Sequence, residues 1–394
     1  MAKSTRGCCR VEAKKAKLFG KHAFPGAKNE ILGSAGGLLC RRSTTMNRRH
    51  FIQAASLGTL GIVFSGHRKG ARGFETSAVS IEEPRDGAVL NRRHGQVSDK
   101  GLQITILGRA PAGRVLVNGV SADRDGEQFT ARITLSERDT IIRAIHEGSG
   151  DQDHVRVRWD RNSFPRYRFA IDDNSFFLRD IWQKKYPSLF DCFYLAGLRD
   201  LHRRYGTKFV LNIYWTTGDE FSLDKFPDQY KGEWRDNANW LRLAFHALSD
   251  KPDRPYEDAP VEKLLADFDR VSNEILRFAG EDTYSPTTII HWGMVRPEAF
   301  KPLAGRGIRV LSGYFRQIGG RWDVNYRLSD ELSEYLSKHD AWVDYESGIT
   351  FSKIDIVCNT VPVEKIPEVL EAAASDPNQA EVMDLMTHEQ YFWP

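Results

Sequence analysis

Arg166-Tyr167-Arg168-Phe169-Ala170-Ile171-Asp172-Asp173 is a short β-prone run that ends on two carboxylates. Beyond Asp173 the chain alternates helix-prone and strand-prone stretches. A helical stretch is expected from Leu189 to Tyr205, then a strand at Lys208–Trp215. Leu241–Phe245 reads as the third strand. From Val261 to Phe278, Leu264, Leu265, Phe268, Val271, Ile275 and Leu276 recur at helical spacing. Thr288–Ile290 and Ile308–Leu311 read as further strands. Arg321 to Trp342 reads as a hairpin plus helix, and Ile354–Val357, a helix over Val363–Ala373 and Val382–Met386 complete the series. Strand and helix in alternation predict a parallel sheet with helices outside, open or closed into a β/α barrel, over 163–394.

In such a fold, side chains at the carboxyl ends of the strands converge on one site. Asp172 and Asp173 end the first strand, His246 the third, His291 the fourth, and His388-Glu389 the last. Each has a plainer reading: an Asp pair after a strand caps a helix, and a single His at a strand end satisfies a hydrogen bond. Four strand ends carrying Asp or His together point instead to one site.

Upstream, the pattern is different. Between Val79 and Trp159, short alternating runs such as Leu102–Leu107, Phe129–Ile133 and Val155–Trp159 are separated by Gly, Asn and Asp. This spacing predicts an antiparallel sandwich over 76–162. Asn118-Gly119 reads as a hairpin turn, because both residues tolerate positive φ. The stretch resembles bacterial Ig-like modules that accompany secreted carbohydrate-active enzymes.

Residues 1–75 read as an address. Arg48-Arg49 precedes Phe51-Ile52 and a mildly apolar run to Phe64, which resembles a twin-arginine export signal at 46–66. That run is too short and too rich in Gly and Ser for a permanent membrane span. Met46 is a candidate start, and the leader is expected to be disordered or removed. The implied destination is the periplasm or the medium, with the twin-arginine export machinery as a partner. A net charge of +3 over 394 residues argues against nucleic acid as a partner. The absence of any Cys-x-x-Cys pair argues against a thiolate zinc site.

At its two ends the 163–394 region resembles the polysaccharide deacetylase family with the NodB-homology fold. Phe169-Ala170-Ile171-Asp172-Asp173 resembles its opening strand and Asp-Asp, and Leu385-Met386-Thr387-His388 resembles its closing Leu-x-His with two residues in place of one between Leu and His. The resemblance implies Asp172 as general base, Asp173 and His246 as ligands of a divalent ion, zinc first, and His388 as general acid. The family's His-x-x-x-His is interrupted here, with Asp250 four residues after His246. Either Asp250 or His291 then supplies the third ligand, and His291 is preferred. The family's Arg-x-Pro-Pro-Tyr motif is missing. Glu389 is expected to orient His388 or a substrate hydroxyl, and Trp215, Trp292 and Tyr391 to stack on sugar rings. The expected function is metal-dependent deacetylation of a carbohydrate polymer or oligosaccharide. The alternatives are a glycoside hydrolase-like enzyme, or a non-catalytic carbohydrate-binding envelope protein. A barrel's last strand is normally followed by a covering helix, so either a truncated carboxyl end, an imperfectly closed barrel, or cover of the gap by the N-terminal module is expected.

Overall fold

The computed structural model describes residues 79–393. The leader and the export signal expected at 46–66 lie outside the described residues.

Residues 79–159 form two five-stranded sheets around one core. The first is ordered Ser80–Glu83, Gly101–Arg109, Gln128–Leu135, Asp123–Asp125, with Gln96–Ser98 also paired to Gly101–Arg109. The second is ordered Val89–Leu90, Gln152–Trp159, Asp139–His146, Val115–Val117, Val120–Ser121. Period-two patterning drives this: Leu102, Ile104 and Ile106 are buried while Gln103, Thr105 and Leu107 face outward. Ile142, Ala144, Val155 and Val157 supply the opposing face of the core. Asn118 (φ +48°) and Gly119 (φ +83°) form the two-residue turn between the paired Val117 and Val120, as their chemistry predicts.

The next region carries seven helices and a set of mostly parallel strands. One sheet runs in the order Leu241–Ala247, Phe209–Tyr214, Arg166–Asn174, Val382–His388, Ile356–Val357, every pair parallel. A second sheet places Thr287–Thr288, Val310–Gly313 and Ile349–Lys353 in parallel, with Ala341–Asp344 antiparallel at its edge. Two links join the sheets. At one side Leu243 and Tyr284 form a parallel bridge. At the other, Ile354 N–H donates to the Gly313 carbonyl and Asp355 N–H to the Asp384 carbonyl, so the segment following Ile349–Lys353 passes from one sheet to the other.

The helix Val261–Phe278 forms as expected, burying Leu264, Phe268, Val271 and Ile275. Fully burying one such side chain contributes about 1.5–3 kcal/mol. Other elements differ from expectation. The stretch Leu189–Tyr205 breaks at Cys192: a 3-10 turn at Leu189–Asp191, capped by Ser188, precedes the helix Phe193–Tyr205. The strand expected at Thr288–Ile290 reduces to Thr287–Thr288, because the chain turns at His291–Gly293 with Trp292 at φ +64°. The hairpin begins at Arg316 instead of Arg321, and the helix expected from Val363 begins at Ile366, behind a 3-10 turn. The helix Phe176–Lys184 has no counterpart among the sequence-based expectations. Cys192 and Cys358 are free thiols.

The region before Asp160 is fastened to the rest. Glu381, with a side chain only 2 % exposed, accepts from Arg93 Nε at 2.6 Å and Ser163 Oγ at 2.7 Å. Trp342 Nε1 donates to the Asp86 carbonyl at 2.7 Å.

Candidate metal centre

Alternation along a strand would send Asp172 and Asp173 to opposite faces. A register shift after Ile171, with Asp173 at φ +62°, overturns this. A non-glycine residue in that region stores roughly 1–3 kcal/mol, so its surroundings must hold it. Both carboxylates thereby line one cavity of about 380 Å³, together with His246, His291 and His388.

Asp173, His246 and His291 converge. His246 Nε2 lies 3.2 Å from Asp173 Oδ1 and 3.2 Å from His291 Nδ1, and His291 Nδ1 lies 3.8 Å from Asp173 Oδ1. Tetrahedral ligands about 2.1 Å from a zinc ion would stand about 3.4 Å apart, so this triangle has the edges of a coordination site. The outer contacts suit the same purpose. His246 Nδ1–H donates to the Ile289 carbonyl and His291 Nε2–H to the Asp250 carbonyl at 3.2 Å, which leaves the other ring nitrogen of each to the centre. Tyr214 OH donates to Asp173 Oδ1 at 2.6 Å and stands 2.9 Å from His291 Nδ1. Gln390 Nε2 donates to Asp173 Oδ2 at 3.2 Å.

Charge agrees with geometry. Burial would raise the Asp173 pKa, but the hydrogen bond and charge of His246, with help from His388 and Tyr214, hold it well below the usual carboxylate range. Burial raises Asp172, opposed by His246 and His388. His246 is raised against its own burial by Asp172 and Asp173. His291 is pushed down to about 4 by burial and by the charge of His246. The lowered pKa of Asp173 and the raised pKa of His246 both report surroundings that favour positive charge. The donor set fits a divalent cation of the zinc type, with two imidazoles and one carboxylate.

Asp172 and His388 stand beside this triangle as register partners on adjacent parallel strands. Asn212 Nδ2 donates to Asp172 Oδ1 at 2.6 Å. His388 Nδ1–H donates to Asn359 Oδ1 at 2.9 Å, which leaves Nε2 free of that contact. Below them, Ile289, Ile354, Val357 and Met386 form an apolar floor.

Three expected roles need correction or sharpening. Glu389 is fully buried and absent from the cavity lining; its carboxylate caps the Phe176–Lys184 helix, accepting from the N–H groups of Ser175, Phe176 and Phe177. Trp215 packs against the main core under the Arg270 guanidinium, 3.9 Å from its ring, and does not line the cavity. Asp250 reaches the centre through its backbone carbonyl, while its side chain is 65 % exposed and 3.8 Å from Lys251 Nζ. Trp292 and Tyr391 do line the cavity, Tyr391 being 64 % exposed at its lip. Tyr214, Asn212, Asn359 and Gln390 belong to the site without having been expected from sequence. Tyr214 ends the second strand, and the strand-end criterion finds it once hydroxyls are admitted beside Asp and His.

A larger cavity of about 610 Å³ lies where residues 89–166 meet 339–382; Arg166 pairs with Asp160 in its lining, and it holds no cluster of metal-ligating groups among the described residues. No protein-family model matches the chain, and comparison with curated proteins finds no relative.

Proposed function

We propose that this chain is a metal-dependent hydrolase that removes acetyl groups from an extracytoplasmic carbohydrate. The observation that carries this reading is the Asp173–His246–His291 triangle with Asp172 and His388 paired beside it on neighbouring strands. We read the parallel strands and their two links as a β/α barrel with the site at its carboxyl-end face, and the preceding sheets as an Ig-like module. A divalent ion, zinc first, would polarise the acyl carbonyl and acidify the attacking water.

The remaining steps belong to side chains. Asp172, buried and held by Asn212, takes the proton from water, and its raised pKa makes it a better acceptor than an exposed carboxylate. His388 Nε2 delivers a proton to the departing nitrogen or oxygen, with Asn359 fixing the ring. Trp292 and Tyr391 offer ring faces at the cavity for the sugar. Glycoside hydrolysis needs two carboxyl groups across a cleft, whereas Asp172 and Asp173 are neighbours on one strand.

The twin-arginine signal supports export of the folded protein to the periplasm or beyond. No helix among the described residues is long and apolar enough to cross a membrane.

The test is metal analysis of the purified chain, followed by acetate release from acetylated glycans. Stoichiometric zinc, with turnover abolished by Asp172→Asn while zinc is retained, supports the proposal. Folded protein that takes up no divalent ion overturns it.

A further inference from the structure

The segment after His388 makes contacts that neither ligation nor proton transfer requires. Glu389 Oε2 accepts from Ser175 N–H at 2.6 Å and Phe176 N–H at 2.8 Å. Its Oε1 accepts from Phe177 N–H at 2.7 Å and Trp393 Nε1 at 3.1 Å. Four donors thus converge on a carboxylate with no exposure to water. The helix at Phe176–Lys184 has Ser175 at its N-cap position, and the Ser175 side chain makes no capping bond. A residue more than two hundred positions away caps it instead. The first capped amide lies two residues after Asp173, the residue held at φ +62°. The next residue of the same segment, Gln390, donates to Asp173 Oδ2. On the other side of the turn, Asn174 Nδ2 donates to the Ile171 carbonyl and its Oδ1 accepts from Tyr194 OH at 2.8 Å.

We infer that Glu389 and Gln390 are positioning residues for Asp173: Glu389 fixes the backbone that leaves it, and Gln390 holds Oδ2 so that Oδ1 faces His246 and His291. The inference rests on the metal-centre reading above. Its physical content is that a strained left-handed Asp cannot keep its orientation alone. The strap that carries His388 supplies the restraint, so the ligand and the proton donor are placed by one continuous piece of chain. A plain helix cap would affect stability only. A positioning role also alters the affinity of the folded protein for its ion, because outer contacts of this kind change metal affinity about 10–100-fold.

The full chain with Glu389→Gln and with Gln390→Leu, titrated with zinc alone, tests this. Glu389→Gln turns one acceptor into a donor facing N–H groups, and Gln390→Leu removes one exposed contact without touching the core. We expect zinc affinity to fall about tenfold or more in both, with Glu389→Gln also speeding amide hydrogen exchange at Ser175–Phe177. If Glu389→Gln fails to fold, Gln390→Leu decides the matter. A folded variant of either kind that binds zinc as tightly as the unaltered chain overturns the inference. An unaltered chain that binds no zinc overturns the metal reading itself, and this inference with it.

Discussion

The Nδ1–H of His246 donates to the main-chain carbonyl of Ile289, on the segment that leads directly into His291. One contact therefore sets the ring of His246 and ties its strand to the backbone that carries the second imidazole. His246 Nε2 is left 3.2 Å from both Asp173 Oδ1 and His291 Nδ1. A candidate ligand set assembled from three separate segments is held at fixed spacing by such outer contacts.

That arrangement separates the candidate ligands. His246→Ala and His291→Ala each remove a donor from the triangle, and we expect stoichiometric zinc to be lost from both in elemental analysis after dialysis. Asp250→Ala leaves the backbone carbonyl that His291 uses, so its zinc content should match the unaltered chain. Loss of zinc from the Asp250 variant would return Asp250 to the ligand set.

Tyr214 donates its hydroxyl proton to Asp173, and the same oxygen stands 2.9 Å from His291 Nδ1. Burial and the charge of Asp173 push the pKa of that hydroxyl well above the usual phenol range. Tyr214→Phe keeps the ring and removes only the oxygen. We expect zinc affinity about 10–100-fold weaker, measured by competition with a chromophoric chelator. Unchanged affinity would reduce Tyr214 to a packing residue.

Asp172→Asn preserves shape and the contact with Asn212 but removes the proton acceptor. If Asp172 is the general base, kcat should fall about 10²–10⁴-fold while zinc content and KM stay near their original values. A variant that keeps its turnover would move the base elsewhere.

Buried carboxyls set an expected pH dependence of stability for the metal-free protein. Asp384 is pushed up to about 6, and Asp340 and Glu389 to about 7, chiefly by burial. A carboxyl whose folded pKa exceeds its unfolded value holds its proton more tightly in the native state. Its stabilisation is present at low pH and lost as pH rises from about 4 through the folded pKa. His291, pushed down to about 4, acts in the opposite sense over that range, as do His94 and His339, also lowered by burial. Asp172 and Asp355, raised by burial, add to the three carboxyls. We expect the urea midpoint to fall between about pH 5 and about pH 7, each carboxyl contributing a slope of at most about 1.4 kcal/mol per pH unit. Asp340→Asn should flatten the fall; a midpoint that rises across this window would contradict the expectation.

Arg168 and Asp384 pair on the strands that carry Asp172 and His388, four residues before each. Asp384 is fully buried. Arg168→Met should therefore cost about 3–5 kcal/mol at pH 8, where Asp384 is left charged without its partner. The cost should shrink at pH 5, where Asp384 takes up a proton. Equal losses at both values in urea titrations would show that packing, not charge, dominates.

Much of the element order is legible in the local sequence. Alternation in Gly101–Arg109 and in Gln128–Leu135, the Asn118-Gly119 turn and the apolar stripe of Val261–Phe278 follow from periodicity and backbone preference, which act over a few residues. The placement of Asp173, His246 and His291 at strand ends is legible for the same reason. What local sequence could not decide is which of these atoms meet. The bulge that brings Asp172 and Asp173 to one cavity depends on pairing with Phe209–Tyr214. That the His291 ring, and not the Asp250 side chain, meets Asp173 and His246 depends on the path of the Ile289–Gly293 turn. Glu389 was turned from a neighbour of His388 into the cap of a helix by three amides about 210 residues away in sequence. Trp215 was claimed by the core. The sequence by itself determined which residues could ligate and transfer protons; the tertiary structure decided which of them converge, because approach within about 4 Å is set by strand stagger, turns and long-range hydrogen bonds that no local pattern encodes.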